Sequence, residues 1–199
     1  MIVDLILAAG RGTRVGGTKG LLDLGGLPLL TRVLDEVTAS AMAGAIVVLG
    51  AEAERVLPLT RRPKVQALYN PDFRSEQLLS LRLALKALPM GTRAFLIHPV
   101  DHCLVRREHL DAMVAAFDAA GQPTAIVRPR HGGQWGHPVL YGALYADDIL
   151  ALPPGDSART VYRRSHDRVL GIDFPDDACL FDLDTPADLE AARRRVGSS

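Results

Sequence analysis

The segment Leu7-Ala8-Ala9-Gly10-Arg11-Gly12-Thr13-Arg14-Val15-Gly16-Gly17-Thr18-Lys19 follows directly on an apolar stretch of strand length and sets four glycines, two arginines and a lysine in one loop. Glycines let backbone N–H groups turn towards a polyphosphate and approach it closely, while the cations balance its charge. Gly10-x-Gly12 lacks the third glycine of the dinucleotide fingerprint. Lys19 is followed by Gly20, where a Walker loop needs Ser or Thr. A plain tight turn has a similar composition; the ordered Arg14 and Lys19 favour a nucleotide.

Two acidic positions suit the same chemistry. Asp101 closes His98-Pro99-Val100-Asp101, just past an apolar run, where a carboxylate can hold Mg²⁺ between protein and phosphate oxygens. The competing roles are a cap for the helix expected from about Arg106, or a solvated side chain. His98 and His102 flank Asp101 and are expected as supporting or surface residues, because imidazole is a poor partner for magnesium. In Asp182-Leu183-Asp184-Thr185-Pro186-Ala187-Asp188, Asp184 or Thr185 can cap a final helix, with Pro186 in its first turn and Asp188 favoured by the helix dipole. Asp182 and Asp184, two apart, share one face of an extended segment.

The elements that must position these groups alternate along the chain. Ile2–Leu7, Ala45–Leu49, Val65–Tyr69, Ala94–Ile97 and Thr124–Val127 read as buried strands. Between them, Leu29, Leu30, Val33, Leu34 and Val37 recur at helical spacing behind Pro28, as do Leu78, Leu81, Leu85 and Leu88, and again Leu110, Met113, Val114 and Phe117. This rhythm predicts a single three-layer, Rossmann-like α/β sandwich with a mainly parallel sheet. After Pro129 it breaks: Arg130–Pro138 is polar and glycine-rich, and Val139-Leu140-Tyr141 predicts a strand of different direction. Val169–Phe174 and Cys179–Phe181 are expected as late strands and Thr185–Arg195 as a closing helix. In open α/β sheets ligands bind beyond the carboxyl ends of the strands. The loop after the first strand and the segment ending at Asp101 converge there.

Composition bounds the partners. The chain has 199 residues, with 23 basic side chains balancing 23 acidic ones, enough for one well-buried domain. That balance argues against a nucleic-acid or anionic-membrane surface. No apolar run approaches the ~20 residues of a membrane span, and the start Met1-Ile2-Val3-Asp4 has no signal-peptide pattern. Cys103 and Cys179 lack metal-ligand spacing, so free thiols and a cytoplasmic location are expected.

Leu-Ala-Ala-Gly-x-x-x-Arg-x-Gly-x-x-Lys, running from Leu7 to Lys19, resembles the opening of the MobA-like nucleotidyltransferases, most of all the molybdenum cofactor cytidylyltransferases. It departs at Gly12, where serine is usual, and at Val15, where methionine is usual. The resemblance continues through Asp101, although Cys103 stands where a proline is common, through Gly136-His137-Pro138 and Gly155-Asp156-Ser157-Ala158-Arg159, and into Asp182-Leu183-Asp184-Thr185-Pro186. It implies the nucleotide-diphospho-sugar transferase-like fold, with a nucleotide-binding part over about 1–128 and an acceptor-binding part over about 129–196.

The implied reaction is attack of an acceptor phosphate on the α-phosphorus of an NTP, with pyrophosphate leaving. Leu7, Ala8, Ala9, Gly10 and Gly12 would surround the nucleotide, with Asn70 and Ser80 near base and ribose and His137 towards the acceptor. Arg14 and Lys19 would steady the pyrophosphate, while Asp101 and Asp184, or Asp182 in its place, would hold Mg²⁺. Ala9 favours CTP, because guanylyltransferase relatives read Leu-Ala-Gly-Gly. Glu76, where glycine is common, bears on nucleotide preference. The implied partners are the NTP, a small phosphorylated acceptor of molybdopterin type, and transiently a molybdoenzyme or its maturation factor. Two alternatives stand beside this reading: a sugar- or polyol-phosphate nucleotidyltransferase, and a non-catalytic cofactor-binding partner of a molybdoenzyme.

Overall fold

Seven consecutive buried residues, Ile2–Ala8, form β1, the strand on which the rest is laid. The computed structural model describes residues 1–74 and 76–197. From β1 the chain passes through a 3-10 turn, Lys19–Leu21, into α1 (Leu29–Ala39), and then β2 (Gly44–Leu49), α2 (Ala53–Val56), β3 (Val65–Tyr69), α3 (Gln77–Lys86) and β4 (Ala94–Pro99). The second half comprises α4 (Arg107–Ala120), β5 (Ile126–His131), β6 (Gln134–Trp135), β7 (Val139–Gly142), α5 (Tyr145–Leu150), α6 (Ala158–Arg164), β8 (Val169–Asp173) and α7 (Pro186–Gly197).

The strands form one sheet in the order β3-β2-β1-β4-β7-β5-β6, with β8 paired to β5. β1 is parallel to β2 and β4, and β2 to β3. β7 runs antiparallel to β4 and β5, the change of direction expected after Pro129. Near-continuous apolar runs in β1, β2 and β4 agree with coverage on both faces, whereas β3, expected as a buried strand, lies at the sheet edge with none of its residues buried and Tyr69 exposed. Ile2, Ile6 and Ala8 pack with α1, α4 and α7, whereas Val3, Leu5 and Leu7 pack with α3, α5 and α6. The result is the expected single α/β sandwich with a mainly parallel mixed sheet.

Two of the expected strand assignments need correction. Cys179–Phe181 is a turn, not a strand, because Leu180 and Phe181 donate their N–H groups back to the Asp177 carbonyl and the Ala178 N–H goes to the Asp176 carboxylate. The fifth strand starts at Ile126, after a turn in which the Ala125 N–H bonds the Gln122 carbonyl. The stretch after Pro129 is a hairpin: His131 pairs with Gln134 across Gly132 and Gly133, whose φ of 56° and 78° fit a two-residue turn of the primed type.

Candidate active site

β1 and β4 are adjacent and in register, with Leu7 opposite Pro99, so the glycine-rich loop and Asp101 leave the sheet side by side. The loop is held by its own backbone. The Gly12 carbonyl accepts N–H bonds from Val15 and Gly17 at 3.1 Å each, and Gly12 adopts φ +58°. Buried Thr18 donates its hydroxyl to Glu52 at 2.7 Å, tying the end of the loop to the start of α2. At the carboxyl end of β2, Gly50 has no room for a side chain: a Cβ there would lie 2.6 Å from the Ala9 carbonyl oxygen and 2.4 Å from Phe73 Cβ.

The acidic segment reaches the same place from the other end of the chain. Leu183 N–H bonds the Asp101 carbonyl at 3.2 Å, which sets Asp182 and Asp184 beside Asp101. Thr185 and Asp188 then cap α7 reciprocally: the Asp188 carboxylate accepts the Thr185 N–H at 2.7 Å, and the Asp188 N–H goes to the Thr185 hydroxyl at 3.3 Å. Of the two cap candidates, Thr185 therefore plays that role, and Asp184 points its carboxylate elsewhere.

Lys19 Nζ bonds Asp101 Oδ2 at 2.8 Å and Asp184 Oδ1 at 2.6 Å. Burial alone would lower the pKa of this ammonium, but its two carboxylate partners outweigh burial and raise it. The Lys19 hydrogen bond in turn holds the Asp184 carboxyl below the usual carboxylate range. Arg14 reaches Asp184 Oδ2 at 3.4 Å from a largely exposed position. Asp101 Oδ1 is buried without a hydrogen-bond partner.

A cavity of about 390 Å³ opens over this cluster. It is lined by Leu7, Ala9, Gly10, Gly12, Arg14 and Lys19 from the loop, by Ser80, and by Asp101 and Asp184. Ala8 ends β1 and does not line it. Asn70 lies behind the wall, buried, and donates its Nδ2 to Ser80 Oγ at 2.9 Å, so it positions Ser80 rather than facing the cavity. Phe73, Glu76 and Gln77 complete that wall.

A second cavity, of about 640 Å³, shares Leu7, Glu76, Gln77 and Pro99 with the first. His137 lines it with Arg128, Trp135, Tyr141, Arg159 and Tyr162. The Arg128 guanidinium stacks 5.6 Å from the Trp135 ring and 4.8 Å from that of Tyr162. Glu76 spans the boundary, its Oε2 accepting the Gly155 N–H at 2.9 Å. Of this wall, Arg128, Trp135 and Tyr162 did not stand out in the sequence. For Arg128 and Trp135 the signal is the Gly132-Gly133 hairpin, which brings Trp135 back across the strand that carries Arg128; Tyr162 comes from α6.

The flanking histidines lie in the interior. His98 and His102 are 1% and 8% exposed, which excludes the surface role for both. His98 Nδ1 pairs at 3.0 Å with Asp4, which is wholly buried on β1. Burial opposes the charged form of His98, but the Asp4 carboxylate prevails and its pKa is raised. His102 and His137 face one another with ring centroids 4.9 Å apart. Burial pushes His102 down to about 3 and His137 down to about 4, so both are neutral near pH 7. Cys103, buried, is pushed up to about 12 and stays a thiol. Among the described residues, no helix is long and apolar enough to cross a membrane.

Comparison with known proteins places this geometry among relatives. The chain is 30% identical over 197 residues to molybdenum cofactor guanylyltransferase of Cereibacter sphaeroides, covering 96% of this chain and 95% of that protein. It is 32% identical over 132 residues to 2-C-methyl-D-erythritol 4-phosphate cytidylyltransferase of Frankia casuarinae, where the match covers 63% of this chain and 47% of the relative. The chain thus spans about half the length of that cytidylyltransferase. A Mycobacterium tuberculosis H37Rv protein solved in complex with manganese shares the fold, with a TM-score of 0.75 at 22% identity over 97% of this chain and 98% of that one. The model of the MobA-like NTP transferase domain matches residues 5–169, from the middle of β1 to the start of β8, and the chain belongs to that family.

Proposed function

We propose that this protein transfers CMP from CTP to a phosphate monoester of molybdopterin type and releases pyrophosphate. The single observation that carries the nucleotidyl-transfer reading is the convergence of the glycine-rich loop, Lys19, Asp101 and Asp184 on one cavity. Backbone N–H groups from Ala9 to Gly12 would hold phosphate oxygens. Lys19, already bonded to two carboxylates, would exchange one of them for a phosphate oxygen, and Arg14 would follow the leaving pyrophosphate. A phosphate monoester is ionised near neutrality, its second pKa being about 6, so positioning and charge stabilisation suffice without a strong general base. Neutral His137 can donate a hydrogen bond to the acceptor without competing for its proton.

The residues fit a divalent cation. Asp101 keeps a buried oxygen without a partner, and the Lys19 ammonium between Asp101 and Asp184 already marks the place as one that attracts positive charge. Asp101 and Asp184 would hold Mg²⁺, which when bound neutralises the phosphate charge that builds up as pyrophosphate leaves. The manganese in the mycobacterial relative supports a divalent ion in this fold.

CTP is favoured by Ala9, whose side chain is 7% exposed and lines the first cavity. A planar acceptor is favoured by the rings of Trp135, Tyr141 and Tyr162 and by the cations Arg128 and Arg159 in the second. A transient partner of molybdoenzyme class would receive such a product in the cytoplasm. A second reading, with a polyol phosphate as acceptor, is favoured by the similarity to the Frankia cytidylyltransferase.

Isothermal titration with CTP and GTP tests the nucleotide: tighter CTP binding is expected, and tighter GTP binding overturns that assignment. Pyrophosphate release with molybdopterin-type and polyol-phosphate acceptors then separates the two acceptor readings.

A further inference from the structure

The loop that carries Lys19 is gripped at both ends by one turn, Gly50-Ala51-Glu52, between β2 and α2. At the start of the loop the Ala51 N–H bonds the Ala9 carbonyl at 3.1 Å. At its end Glu52 Oε2 accepts the hydroxyl of Thr18, the residue before Lys19, at 2.7 Å. Thr18 is 3% exposed, and its carbonyl accepts the Leu21 N–H at 2.9 Å, closing the 3-10 turn that begins at Lys19. Glu52 makes its bond from an unfavourable backbone. It has φ 49° and ψ 34°, in the left-handed region that is costly to a residue with a Cβ. It opens α2 without capping it, since its carboxylate goes to Thr18 and Arg55 and to no N–H of the helix. Glu52 lines neither of the two cavities. A carboxylate would repel a polyphosphate, so its place beside this loop is explained by what it holds.

From this we infer that Glu52 is a positioning residue for Lys19. Through the Thr18 hydroxyl it fixes the backbone from which the ammonium reaches Asp101 and Asp184, at 2.8 and 2.6 Å. From the same place Lys19 would meet the leaving pyrophosphate. A misplacement of about 1 Å can cost roughly a hundredfold in rate, which gives a rigid support its value even where the supporting residue is strained. The catalytic consequence rests on the nucleotidyl-transfer reading, whereas the grip of the turn on the loop does not.

Glu52→Gly separates the grip from the fold, because glycine takes φ 49° without strain while the carboxylate is lost. Its midpoint in urea unfolding should stay close to that of the unaltered protein. In steady-state pyrophosphate release with CTP, its kcat should fall about tenfold or more, with a smaller change in KM. Glu52→Gln, whose amide oxygen still accepts the Thr18 hydroxyl, should recover most of that loss. Thr18→Val should reproduce the loss, and adding Glu52→Gly to it should lower kcat no further. An unchanged kcat in Glu52→Gly, or Glu52→Gln as slow as Glu52→Gly, overturns the proposal. Amide hydrogen exchange of the nucleotide-free protein reads the same contact without turnover. Glu52→Gly should speed exchange of the Leu21 and Leu22 N–H groups, which bond the Thr18 and Lys19 carbonyls, by about tenfold. Unaltered exchange at these two positions overturns the grip itself, whereas an unaltered protein that releases no pyrophosphate counts against the nucleotidyl-transfer reading alone.

Discussion

Replacing Lys19 by alanine would leave Asp101 and Asp184 without the ammonium that bonds them at 2.8 and 2.6 Å. Losing one preorganised charge-stabilising donor typically costs about 10²–10³ in turnover, and that is the fall expected in steady-state pyrophosphate release by Lys19→Ala. The stability cost should be smaller, about 1–3 kcal/mol in urea unfolding, because the carboxylates are partly open to water. The pair of Asp4 and His98 lies deeper and is a matter of stability. His98 has a raised folded pKa, so its contribution is fully present below the unfolded value of 6.5 and is lost as pH rises through the folded value. Thermal melts should therefore show Asp4→Asn losing about 3–5 kcal/mol at pH 6, with the gap to wild type narrowing as pH rises. A constant gap would exclude a charged His98.

Among the elements, the first loop depends on a backbone shape that one residue type permits. Gly12 has φ +58°, and an added Cβ would lie 2.0 Å from the Gly17 carbonyl oxygen. Gly12→Ala should cost about 1–3 kcal/mol through backbone strain and weaken CTP binding measured by calorimetry, with CTP binding unaffected if the loop plays no part. The glycine spacing of this loop was legible in the sequence because it carries both the turn and the charge. So were the parallel strands β1, β2 and β4, whose buried apolar runs leave few alternatives. The hairpin at Gly132-Gly133 was not, because Arg130–Pro138 alternates too briefly to show a strand period. Cys179–Phe181 misled for the opposite reason: three apolar residues of strand composition belong to a turn set by Asp176 and Asp177. Asn70 was legible as polar and near the site, but its burial behind Ser80 depends on tertiary packing that no local pattern encodes. The pairing of Asp4 with His98 joins residues 94 apart and was equally hidden.

For the molecule as a whole, two cavities adjoin and share Leu7, Glu76, Gln77 and Pro99, an arrangement that would suit the two substrates of the proposed transfer. Glu76 stands where they join and bonds the Gly155 N–H. Glu76→Gly should open that junction and let the larger purine in, raising kcat/KM for GTP relative to CTP by about tenfold; an unchanged ratio would place nucleotide selection elsewhere, at Ala9 first. The most direct measurement follows two labels through one reaction, CTP labelled at the α- or the γ-phosphorus, incubated with a divalent cation and a molybdopterin-type acceptor. A nucleotidyltransferase delivers the α label to the acceptor and the γ label to pyrophosphate in equal amounts. Release of the γ label as orthophosphate, or no transfer by folded protein that binds CTP, would contradict nucleotidyl transfer at this site.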